Sequence, residues 1–89
     1  MTKRGQEWID FSMAVLRHVD EYCCPQYGDK GDDQLTGYSS EDCFKQVEKY
    51  LNRRGKNQRE GQDSLDIIKS AHYLQAAWTK MNEKKGGIM

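Results

Sequence analysis

The side chains with the most chemistry to offer sit in a short basic run. Lys49, Arg53, Arg54, Lys56 and Arg59 gather around Gly55 and Asn57, and Lys69 follows further on. Arginine presents a planar fork for bidentate contacts to phosphate, and lysine a compact point charge. A glycine in the turn lets the backbone approach an anion. These six side chains are therefore candidate ligands for the phosphate of a nucleotide or a nucleic acid. The start of the next helix, near Asp63 and Ser64, could add backbone N–H donors. The competing reading is a solvated helix end whose cations complement the helix dipole.

A second chemistry would come from paired acids. Glu7 and Asp10 stand three residues apart, as do Asp63 and Asp66. That spacing puts both carboxylates of a pair on one helix face, and two facing pairs could hold a magnesium ion with retained waters. Helical nucleotide pyrophosphohydrolases use such acids, but their full set is not present. Magnesium is therefore expected only if the chain is a nucleotide-processing enzyme, and capping or surface solvation is the plainer role for these four acids. The segment Gly28-Asp29-Lys30-Gly31-Asp32-Asp33 fits neither the phosphate-binding G-x-x-x-x-G-K-[ST] loop nor the calcium pattern D-x-[DN]-x-[DN]-G. Cys23, Cys24 and Cys43, with His18 or His72, invite a zinc reading, yet no C-x-x-C pair exists. The odd count argues against a closed disulfide framework. His18 and His72 read as histidines at the edge of a core, and no residue is assigned as catalytic.

Three amphipathic segments must position these groups. The first helix is expected over about residues 6–22, with Trp8, Phe11, Met13, Val15, Leu16, Val19 and Tyr22 forming one buried face. The second is expected over 40–54, with Ser39 or Ser40 as N-cap, Glu41 and Asp42 in the first turn, and Gly55 closing the end. The third is expected over 63–83, where Leu65, Ile68, Ala71, Leu74, Ala77, Trp78 and Met81 line one side and Ile67 lies at its edge. Between the first two helices, residues 23–38 hold the single proline and three glycines, and read as a long loop.

The chain has 89 residues, 36% of them hydrophobic and 31% charged. That is room for one helical domain with a thin core, and it leaves homo-oligomerisation open. Net charge is zero but unevenly spread. Residues 7–42 carry nine acids against two bases, and residues 45–59 six bases against one acid. A global basic excess, the usual footprint of a nucleic-acid binder, is absent, whereas a local basic patch is not. No apolar run approaches the roughly 20 residues of a membrane span, so a cytoplasmic protein without a membrane partner is expected.

Two stretches follow a recognisable order. They are Lys49-Tyr50-Leu51-Asn52-Arg53-Arg54-Gly55-Lys56-Asn57 and Asp66-Ile67-Ile68-Lys69-Ser70-Ala71-His72-Tyr73-Leu74, with Cys43 upstream. Over about residues 40–78 the chain resembles a family of small helical phage and prophage proteins of unassigned function. Some members of that family carry a nucleotide kinase assignment. His72 stands where tryptophan is common in the family. The resemblance implies a phage context, a host-cell cytoplasm and a link to nucleotide metabolism.

The sequence thus points to an all-α protein of three helices with a long loop between the first and second. The leading expectation is an accessory binding module without catalysis of its own, taking nucleotide or nucleic-acid phosphate on the basic turn. One alternative is an interaction or inhibitory module acting on a host or phage protein, and another a magnesium-dependent nucleotide-processing enzyme.

Overall fold

The computed structural model describes residues 1–27 and 35–84. Its elements are helix α1 (Lys3–His18), a π-helical turn (Val19–Cys23), the short helix α2 (Cys24–Tyr27), α3 (Ser40–Asn52) and α4 (Gln62–Lys84). Among the described residues the protein is all-α, with three long helices. None of them is long and apolar enough to cross a membrane. The chain divides into two compact units, Met1–Thr36 and Gly37–Met89.

In the first unit, α1 begins earlier than its apolar stripe suggests. The Thr2 hydroxyl accepts the Gly5 N–H at 2.9 Å, and the Thr2 carbonyl accepts the Gln6 N–H at 3.0 Å. Threonine is a good N-cap, so helix formation starts at Lys3. Arg17 and His18 complement the dipole in the last turn. The helix also does not stop at Tyr22. Cys23 completes a widened turn and Cys24–Tyr27 adds another, so the expected loop loses its first five residues to helix. Proline has no N–H to donate and its ring crowds the carbonyl four residues back. The π-helical turn directly before Cys24-Pro25 relaxes the helix at that place. The Gly28–Asp33 segment lies outside the described residues.

The apolar stripe of α1 is present but not buried, which corrects the expectation of one buried face. No residue of α1 is fully buried, and Trp8, Met13, Leu16 and Tyr22 are exposed. Among the described residues of its unit there is no second long helix to cover it. Trp8 and Phe11 instead meet side to side, with ring centroids 5.7 Å apart, and His18 stacks on Tyr22 at 5.9 Å.

The second unit is an antiparallel helical hairpin. Its α3 starts at a full capping box. Ser39 Oγ accepts the Asp42 N–H at 3.1 Å, while the Asp42 carboxylate accepts the Ser39 N–H at 2.9 Å. Asn52 is the last α-helical residue and Arg53 the C-cap, so the basic pair Arg53-Arg54 lies at and beyond the cap rather than inside the helix. Two successive turns then lead to α4. The Lys56 N–H reaches the Arg53 carbonyl at 2.9 Å and the Gln62 N–H reaches the Arg59 carbonyl at 3.2 Å. Each turn has glycine at its third position, Gly55 with φ 79° and Gly61 with φ 80°. A positive φ there favours glycine. The Gly61 carbonyl accepts the Leu65 N–H at 3.1 Å, so α4 begins at Gln62 and Asp63 and Ser64 fall in its first turn.

The buried side chains are few and mostly small: Cys43, Tyr50, Ala76 and Ala77, with polar Asp66 and Asn82. Asn82 Nδ2 donates to the Trp78 carbonyl at 2.8 Å, which satisfies it locally. Burial pushes the Cys43 thiol up from its usual range, partly offset by the charge of Lys80. The face of α4 turned to α3 carries Asp66, Tyr73 and Ala77. Of the apolar stripe expected on α4, Ala77 is buried and Leu65, Ile68 and Ala71 are half-buried, whereas Leu74, Trp78 and Met81 are exposed. A polar anchor, described below, sets the rotation.

These local devices are tested by three sets of substitutions. Ser39→Ala removes the cap and is expected to lower stability by about 1 kcal/mol in urea melts. The Ser39 backbone N–H, and then its hydroxyl, holds the Asp42 carboxyl below its usual 3.8. A depressed carboxyl pKa stabilises the fold at pH above 3.8 and loses that contribution as pH falls through the folded value. Asp42→Ala should therefore flatten the acid side of the melting-temperature profile. Separately, Gly55→Ala and Gly61→Ala are each expected to cost about 1–2 kcal/mol. No atom lies within 4 Å of either added Cβ, so the loss is wholly one of backbone conformation.

Candidate functional site

Helical spacing puts Lys49, Tyr50 and Arg53 close together at the end of α3. It does the same for Asp66, Lys69 and Tyr73 along the first half of α4. The hairpin brings the two sets face to face. Arg53 Nη2 lies 3.4 Å from Asp66 Oδ1. The rings of Tyr50 and Tyr73 stack with centroids 6.2 Å apart, and Tyr73 stacks in turn on Tyr38 at 6.4 Å. Around the buried Tyr50 ring stand three cations: Lys49 Nζ at 4.9 Å, Arg53 Cζ at 5.5 Å and Lys69 Nζ at 5.8 Å from its centroid. A ring quadrupole attracts each by about 0.5–1 kcal/mol at exposed sites. That attraction is what gathers like charges at one place.

Asp66 is the anchor of the arrangement. Its side chain is buried, and its oxygens are filled by donors from three segments. Gln62 Nε2 donates to Oδ1 at 2.8 Å, Asn57 Nδ2 to Oδ2 at 3.0 Å, and Arg53 adds its charge. Asn57 Nδ2 also donates to Asp63 Oδ1 at 2.7 Å, so one neutral amide bridges the acid pair. The Asp63–Asp66 pair therefore already serves in holding the turn to the helix. Of the other pair, Asp10 Oδ1 accepts the Gln6 amide at 3.0 Å, and Glu7 is exposed on α1. Among the described residues no group of three or more His, Cys, Asp or Glu side chains could hold a metal ion.

The six basic candidates thus fall into two groups. Lys49, Arg53 and Lys69 converge on Tyr50, and Arg54, Lys56 and Arg59 are exposed on the connection after α3. Among the described residues, Arg53 is the one cation of the first group with an ion-pair partner. Counting Asp63, which Asn57 ties to Asp66, two carboxylates stand against three cations, a local excess of one positive charge. The tyrosines and the amides of Asn57 and Gln62 were not marked by charge patterning. The hairpin brings together Tyr50, Arg53, Asp66, Lys69 and Tyr73, with Asn57 and Gln62 from the connection and the start of α4. His72, at the edge of this stack, lies with its ring 6.2 Å from that of Tyr73.

Comparison with family models, curated proteins and solved structures finds no match for this chain.

Removing the anchor tests its structural role. Asp66→Ala leaves the Asn57 and Gln62 donors and the Arg53 cation without their acceptor, with an expected loss of about 2–3 kcal/mol in urea unfolding. Asp66→Asn keeps an acceptor oxygen and should lose less. Equal losses in the two variants would show that the negative charge, and not hydrogen bonding, is what counts.

Proposed function

We propose that this protein is a small binding module that takes a phosphate group through the cations around Tyr50. The observation that carries this reading is the convergence of Lys49, Arg53 and Lys69 on one ring, where Asp66 forms an ion pair with Arg53. Arg53 and Lys69 are half-buried against the ring while Lys49 is exposed beside it, so the cluster is open to an arriving anion. Arg53 is held by Asp66 and acts mainly in construction. Lys49 and Lys69 are the ligands, and Arg54, Lys56 and Arg59 extend the positive field along the exposed connection. A field of this kind steers an anion to the site and weakens with salt.

The shared chemistry is a phosphate ester, carried by a free nucleotide or by a nucleic-acid strand. The sequence resemblance to phage proteins linked to nucleotide metabolism agrees with either. Catalysis is not part of the reading, since Asp66 is committed to Arg53, Asn57 and Gln62, and Asp63 to Asn57.

The test is a binding titration of the full chain with inorganic phosphate, a nucleoside triphosphate and a single-stranded oligonucleotide at low salt. Lys49→Ala with Lys69→Ala is expected to weaken binding at least tenfold without changing the helical signal. If the ligand is a strand, each cation removed should reduce the logarithmic salt slope by roughly 0.7. A nucleotide alone would bind with no dependence on strand length. Binding that the double variant leaves intact, or no binding to any of the three, rejects the site.

A further inference from the structure

We infer that the site takes nucleobases as well as phosphate, and that its ligand is a single strand of nucleic acid. The inference rests on the phosphate reading above and adds to it the rings of Tyr38, His72 and Tyr73. Tyr73 is the hub of that set. Its ring is inclined by 20°, 28° and 30° to those of Tyr38, Tyr50 and His72, with centroids 6.4, 6.2 and 6.2 Å away. Such separations belong to offset stacking, in which two rings overlap only in part. Tyr50 is buried at the cation end of the set, whereas Tyr38, His72 and Tyr73 are half-buried and so reach solvent. Tyrosine and histidine rings both serve to stack an unpaired base. Here neighbouring rings already hold them near-parallel, so a flat base joining the set reorders little of the protein.

Position joins the two chemistries. Lys49, Arg53 and Lys69 stand around Tyr50, and the Tyr73 ring follows 6.2 Å further on. That is the scale of the sugar that links a phosphate to its base. A phosphate held by Lys49 and Lys69 therefore puts its base beside the rings of Tyr73, Tyr38 and His72.

Charge extends the ligand from one nucleotide to several. From Lys49 to Lys69 the chain carries six bases against the acids Glu60, Asp63 and Asp66. Asn57 ties up Asp63 and Asp66, and Asp66 also pairs with Arg53. Arg54, Lys56 and Arg59 are exposed along the connection, beyond the reach of a phosphate seated at Tyr50's cations alone. A strand supplies a phosphate with every base. Cations that track the backbone beside rings that stack the bases are how proteins hold single strands without reading their sequence. A duplex keeps its bases stacked on one another and withholds their faces.

Fluorescence anisotropy on the full chain at low salt provides the test. The probes are a labelled oligothymidylate of about ten nucleotides, an abasic strand of equal length, and thymidine monophosphate as competitor. The oligothymidylate is expected to bind at least about fivefold more tightly than the abasic strand, which has the same phosphates and no bases. Tyr38→Leu should remove most of that difference and leave the abasic strand unaffected, while Tyr38→Phe retains it. Should Tyr38→Leu lose helical signal, His72→Ala puts the same question to a neighbouring ring. A purely structural role for these rings would weaken both strands alike, and that result overturns the inference. Equal binding of the two strands, both weakened by Lys49→Ala with Lys69→Ala, overturns the base seat and leaves the phosphate reading standing. Binding of neither strand, or binding indifferent to the two lysines, removes the phosphate reading and this inference with it. Thymidine monophosphate that binds as tightly as the strand assigns the site to a free nucleotide, and overturns the inference too.

Discussion

A buried carboxylate governs this structure. Asp66 sits beneath the connection between α3 and α4, and its oxygens draw Arg53, Asn57 and Gln62 onto it. An isolated charge in such a place would be costly, and it persists because donors from three segments satisfy it. Its net contribution to stability is modest, because desolvation offsets much of the attraction. What it supplies is geometry. With Asp66 facing Arg53, the rotation of α4 is fixed, and with that rotation Tyr73 meets Tyr50 and Lys69 reaches the same ring. The turn is drawn in by the same oxygens, since Asn57 binds both Asp66 and Asp63.

Much of the hairpin was legible in the sequence, and for reasons that are local. Ser39, Asp42 and Gly55 announce the ends of α3 through side-chain capping and a positive φ, effects settled within a few residues. Thr2 carries the same kind of signal for α1, ahead of the point where the apolar stripe begins. The rotation of α4 was legible only in part: Ala77 of the expected stripe is buried, but Leu74, Trp78 and Met81 are exposed. Hydrophobic periodicity treats an aspartate as a surface residue, so it assigned the core to the face bearing Leu74 and Trp78. Only a partner from another helix makes Asp66 a buried residue, and that pairing is not a local property. The candidate site shows the same division. Charge patterning found Lys49, Arg53 and Lys69, but placed them with the exposed turn cations. Their separation from Arg54, Lys56 and Arg59 depends on the ring of Tyr50, which charge patterning does not weigh.

The two units differ in how they use apolar residues. The hairpin has a core so thin that small side chains such as Cys43, Ala76 and Ala77 fill it, and stacked tyrosines with polar links do much of the remaining work. The first unit spends its large side chains on a helix that buries none of them. A 16-residue helix of this kind is marginal by itself, since helical stability in proteins comes mainly from packing of one face. Its intrinsic order rests on the Thr2 cap and the ring contacts along its own surface.

The connection between α3 and α4 has a kinetic meaning as well. Tyr50, Arg53, Asn57, Asp66, Lys69 and Tyr73 all lie within one continuous stretch of the chain, bridged by two tight glycine turns. Closing so short a loop sacrifices little chain entropy, and folds dominated by near neighbours in sequence form rapidly. The cation cluster is therefore assembled by the same event that closes the hairpin, and it awaits no contact from distant parts of the polypeptide.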